Sequence, residues 1–146
     1  MYGAMTPTTP LNPDEEVLLQ IPADRSTYWR DHAWLAAIAM AVGMAILWGM
    51  GNPHVWTGAV GGLAAIAVRA FYVASDELQA RWDLTNQRLL GPQGRAVHLS
   101  EIKQIRSLGS AIQIVTLSGD KHLLKYLADK PATRAAIQRV QAGGRP

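Results

Sequence analysis

The chain contains no cysteine. That excludes disulfides, thiolate metal sites and a cysteine nucleophile, and it fits a reducing compartment. No GxSxG, phosphate-loop or GxGxxG pattern occurs, so acyl-transfer, nucleotide and dinucleotide chemistry lack their usual anchors. Of the four histidines (His32, His54, His98 and His122), no two are three or four residues apart. His98 and His122 are expected on adjacent strands, without the further ligands a metal requires. The acidic run Asp14-Glu15-Glu16 reads as a solvated charge cluster rather than a catalytic set. The expectation is a protein that is not an enzyme and takes no cofactor. The one exception to keep open is His32, which could meet the magnesium of a chlorin in a pigment complex.

Charge is missing from one long region. Between Ala33 and Ala74 the only charged residue is Arg69. Two apolar runs, of about 18 and 20 residues, are separated by Gly51-Asn52-Pro53-His54. Runs of that length are enough to cross a bilayer's hydrocarbon core, and the four residues between them are strong breakers. A tight transmembrane hairpin over 33–74 is expected, with residues 1–32 and 75–146 on one side. The first 13 residues, rich in Pro and Thr, read as a flexible tail and lack the basic-then-apolar order of a secretory signal. Val17 to Ile21 can be one turn of helix or a short strand, ended by Pro22.

Within the first run Ala37, Ala41, Ala45 and Gly49 recur every four residues, and the second holds Gly58 and Gly62. Rows of small residues let helices approach closely. They can serve packing within the hairpin, docking on another membrane protein or self-association, and both outer faces of a hairpin stay open. Trp29 and Trp34 fit one interfacial aromatic belt, Trp48 and Trp56 the other. Arg69 lies near a helix end, where a snorkelling role is the expectation. Arg25, Arg30, Arg69 and Arg81 flank the spans while the connecting loop carries no Lys or Arg. The positive-inside rule then places both termini in the cytoplasm.

The two flanks differ in charge. Residues 1–32 carry a net −3, and residues 75–146 carry eleven basic against six acidic side chains, a net +5. A basic body held near a membrane is attracted to anionic headgroups. Arg81, Arg88 and Arg95 are the basic residues that can face lipid. No clustered basic helix or stacking platform points to nucleic acid. Strands are expected around 78–84, 96–99, 112–117 and 122–127, with turns at 85–88, 91–94 and 118–120; 89–90 is a short apolar pair, and 102–106 carries apolar residues at 102 and 105. A helix follows over 132–141, with Asp129 as its N-cap and Pro131 in its first turn.

Trp82-Asp83-Leu84-Thr85-Asn86-Gln87-Arg88-Leu89-Leu90, then Leu99-Ser100-Glu101-Ile102, then the hairpin and final helix resemble the bacterial pleckstrin-homology-like domain. Members of that group often carry a two-helix membrane hairpin and an acidic-hydrophobic start like Pro13 to Pro22. The resemblance implies an α+β membrane protein: a two-helix transmembrane hairpin followed by a small, bent antiparallel β-module closed by a C-terminal helix. This chain has room for five or six strands rather than seven. In the motif, Thr85 and Asn86 are expected to hold a turn and Arg88 to pair with Asp83 or Glu101. The overall plan is also similar to an assembly factor for the photosynthetic reaction centre of purple bacteria. That implies a non-enzymatic accessory or assembly protein of a respiratory or photosynthetic membrane complex, at a bacterial inner membrane. The alternative is a peripheral reader of anionic lipids.

Overall fold

The structure is a computed structural model, and it describes residues 5–146. Two units make up the chain: one from residues 5–27 and 76–146, the other from 28–75. The first is an antiparallel β-module with a terminal helix. The second is a pair of long apolar helices.

In the module, strands β1 (Val17–Pro22), β2 (Arg81–Thr85), β3 (Arg88–Leu90) and β4 (Ala96–His98) form a four-stranded sheet in that order. Strands β5 (Ile102–Leu108), β6 (Ala111–Thr116) and β7 (Lys121–Leu124) form a second sheet of three. The expectation of five or six strands is corrected to seven among the described residues. The missing one is β1, from the segment whose form the sequence left open. It pairs with β2 from Val17 opposite Thr85 to Pro22 opposite Arg81. The two long helices are therefore inserted between neighbouring strands of one sheet, and residues 5–27 belong to the module rather than to a separate N-terminal region.

The core follows from alternation. Ile112, Ile114 and Thr116 of β6 point inward, and their neighbours do not. Ile112 and Ile114 meet Trp82, Leu84, Leu89 and Val97 of the other sheet together with Leu124 and Leu127. Helix α3 (Lys130–Gln141) closes the core with Ala136, Ile137 and Val140, which lie on one face at helical spacing. Asp129 caps it as expected, its carboxylate accepting from the Ala132 amide at 3.0 Å.

Helix α1 (Arg25–Gly49) and helix α2 (Val55–Glu77) extend beyond the apolar runs that define them. The turn between them has a definite mechanism. Gly51 takes φ +72°, and its amide and that of Asn52 return to the Trp48 and Leu47 carbonyls at 3.0 and 2.9 Å. This is a Schellman stop, in which glycine supplies the left-handed residue. Asn52 then accepts the His54 amide at 2.8 Å, and Pro53 keeps the turn from continuing as helix.

Candidate functional site

The two helices pack through glycine, and not through the row that the sequence makes most visible. A Cβ at Gly43 would collide with the Gly58 backbone, and one at Gly58 would collide with Gly43 and Met44. One at Gly62 would strike the backbone of Ala39 and Met40. Further along, the Tyr28 hydroxyl donates to the Ala70 carbonyl at 2.6 Å. Gly58 and Gly62 thus serve packing within the helix pair, with Gly43 and Ala39 as partners that the four-residue spacing did not single out. Ala37, Ala41, Ala45 and Gly49 are all exposed, and a Cβ added at Gly49 meets nothing within 4 Å.

Around that row the surface is apolar. Trp34, Ile38, Val42, Ile46 and Trp48 on α1 are exposed, as are Trp56, Val60, Val68, Phe71 and Tyr72 on α2. Arg69 is exposed on α2. Trp29 lies nearer the helix seam, its ring 5.5 Å from that of Phe71. His32 is buried beside Tyr28, with Nδ1 2.9 Å from the Tyr28 carbonyl oxygen.

In the module the Leu84-Thr85-Asn86-Gln87-Arg88 motif grips the acidic start of the chain. Arg88 donates to Glu15 Oε1 at 2.5 Å and Oε2 at 2.9 Å, and to the Pro10 carbonyl at 3.0 Å. Thr85 Oγ1 accepts the Arg88 amide at 2.7 Å and lies 2.6 Å from Glu15 Oε2. Asn86 exchanges hydrogen bonds with the Glu16 amide and the Asp14 carbonyl, both at 3.0 Å. Glu15 is buried rather than solvated. Arg88 holds its carboxyl down at about 2 against an ordinary 4.5, outweighing the opposite pull of burial. The same contact raises the Arg88 pKa. The expected turn at Thr85 is present, but Arg88 pairs with Glu15 and not with Asp83 or Glu101. Residues 5–13 are held rather than free: the Met5 carbonyl accepts the Arg81 amide at 3.0 Å. Residues 1–4 of the expected flexible tail lie outside the described residues.

The three basic residues expected to face lipid therefore separate. Arg88 is buried and committed, which removes it from that set. Arg81 pairs with Asp83 at 2.9 Å. Only Arg95 is exposed, held by a 3.3 Å contact to Gln93. Arg95 borders a cleft of about 190 Å³ floored by Ile21, Trp82, Leu124 and Leu127, with Lys125 and Glu77 at its rim. The described chain has two non-glycine residues in the left-handed region, Gln93 at φ 61° and Tyr126 at φ 55°. Gln93 lines this cleft, and Tyr126 sits between two residues that do. Such a conformation costs roughly 1–2 kcal/mol per residue, which the surrounding packing has to supply.

His98 and His122 do not meet. The first is in β4 of one sheet and the second in β7 of the other. His122 stands edge-on to Trp82 at 6.1 Å, and burial, then the Arg95 charge, lower its pKa. Among the described residues no group of histidine and carboxylate side chains is arranged to hold a metal. No protein-family model, curated protein or solved structure matches this chain.

Proposed function

We propose that this protein is a membrane-anchored interaction module, an accessory subunit or assembly factor of an integral membrane complex, rather than an enzyme. One observation carries the reading: the small-residue row from Ala37 to Gly49 lies outside the glycine seam that holds α1 to α2. A flat face beside exposed Ile38, Val42 and Ile46 is what a second transmembrane helix packs against. The 25 and 23 residues of the helices correspond to about 37 and 35 Å, against about 30 Å of hydrocarbon. Trp29 and Trp48 are about 29 Å apart along α1 at 1.5 Å per residue, which suits two interfacial belts. A water-soluble chain does not leave so much contiguous apolar surface uncovered. The sequence charges favour an inner membrane with both termini in the cytoplasm, and the seven strands with a closing helix support the pleckstrin-like resemblance.

The test is capture of the tagged full-length protein in mild detergent with mass spectrometry of what accompanies it. A defined membrane complex should be recovered and should be lost with Ala41→Leu, whose side chain points away from the seam. Recovery unchanged by Ala41→Leu would sink the docking face.

The second reading, contact with anionic lipid, rests on Arg95 and Lys125 at the rim of the apolar-floored cleft. Flotation of the full chain with phosphatidylglycerol vesicles that is insensitive to salt would remove its electrostatic basis.

A further inference from the structure

Strand β5 is the longest of its sheet and, among the described residues, is paired on one side only, with β6. Its register against β6 slips between Ile102 and Gln104, which makes Lys103 the extra residue of a bulge. On its other side a groove of about 330 Å³ runs between β5 and α3. Its walls are Ile102, Lys103, Gln104 and Ile105 from the strand and Arg134, Gln138 and Gln141 from the helix. Four consecutive strand residues line it, so β5 presents its backbone edge there as well as its side chains. The groove wall holds two cations, three amides and no carboxylate, and of the amides Gln141 already donates to the Leu99 carbonyl at 3.0 Å. Neither Lys103 nor Arg134 has an ion-pair partner among the described residues. Arg106, two residues along the strand from Gln104, is exposed and extends the basic line.

We propose that this groove takes an extended acidic segment of a partner protein, added as a further strand along β5. This rests on the interaction-module reading and gives the β-module its own contact, separate from the helix row. Main-chain hydrogen bonds to an open edge supply affinity without a sequence requirement, and the flanking side chains select charge. Lys103 and its bulge alone would be ordinary protection of a sheet edge. Protection of the edge does not call for a second cation, Arg134, and a further amide, Gln138, on the facing helix. Carboxylates alternating along an extended chain would meet Lys103 on one wall and Arg134 on the other, with Arg106 further along the strand, while Gln104 and Gln138 offer amide donors between them.

The experiment uses the full chain in zwitterionic nanodiscs and a labelled, acetylated eight-residue peptide in which glutamate alternates with valine, followed by fluorescence anisotropy. Binding is expected, weakened at least about tenfold by Lys103→Glu with Arg134→Glu and progressively by added salt. The same peptide N-methylated at alternate amides keeps its charge and loses its strand donors; it should bind at least about tenfold more weakly. Equal affinity for the N-methylated peptide, or for the double variant, overturns the proposal, as does the absence of binding. Displacement by phosphatidylglycerol vesicles as effective as by unlabelled peptide would assign the groove to lipid and also overturn it. None of these outcomes depends on Ala41, so the groove and the helix row fail separately.

Discussion

At the level of single residues the most consequential contact is Glu15 with Arg88. Both are buried, and each is the other's principal charge partner. Removing one member of such a pair leaves an uncompensated charge, at a cost of about 3–5 kcal/mol. Arg88→Ala is therefore expected to destabilise the module by that amount, read as a lowered denaturation midpoint for β2 and β3 by amide hydrogen exchange. The pH dependence follows from the depressed Glu15 pKa. A carboxyl held at about 2 in the folded state and near 4.5 when free stabilises fully above about pH 4.5. That contribution is lost as the pH falls from there towards 2. Glu15→Gln should flatten this acid limb, which a thermal-melting series across pH 2 to 6 would register. Sequence reading found the motif and misplaced its partner. Glu15 and Arg88 are 73 positions apart, and nothing local distinguishes an acidic run that is solvated from one that is received by a buried guanidinium.

Among the elements, the helix pair separates two kinds of small residue. Gly58 and Gly62 occupy a contact where backbone meets backbone, and a larger side chain there forces the helices apart. Overpacking of that sort costs about 1–3 kcal/mol. Gly62→Leu should lower the thermal stability of α1 and α2 in detergent by an amount in that range. Ala41→Leu, on an open face, should change it by less than about 0.5 kcal/mol. Circular dichroism melts of the two variants side by side make the comparison. The outcome matters for interpretation, because loss of a partner in Gly62→Leu alone would report a broken hairpin. The apolar runs and their breaker were legible in the sequence, because length and absence of charge are collective properties that no single contact can override. Which small residues form the seam was not. The row from Ala37 to Gly49 and the pair Ala39 and Gly43 differ in which side of α1 they occupy, and which side faces α2 is settled by close packing between the two helices. The β6–β7 hairpin and α3 were legible for the opposite reason: alternation, Gly119 and the Asp129 cap are local signals.

For the whole molecule, the defining feature is an insertion. β1 and β2 are adjacent antiparallel strands, and the chain between them makes the two long helices before returning. The Ala23 amide donates to the Ala80 carbonyl at 3.1 Å, so the ladder continues up to the points where the helices leave and rejoin the sheet. Strand-by-strand reading could not see this, since pairing across about 60 residues carries no local signature, and β1 looks like an isolated fragment. It has a direct consequence for the β-module taken alone. A chain of residues 75–146 lacks β1 and Glu15, leaves Arg88 without its carboxylate, and opens the β2 edge beside Trp82 and Leu84. It should give a poorly dispersed amide NMR spectrum. Joining residue 23 directly to residue 80 through a four-residue glycine-rich turn should restore the sheet, because neighbouring antiparallel strands need only a short connection. That shortened chain is expected to be water-soluble, with dispersed amides and slow exchange in β1 and β2. If it stays unfolded while the full-length protein is folded, the module depends on the helices for more than their covalent link, and the insertion is not a simple one.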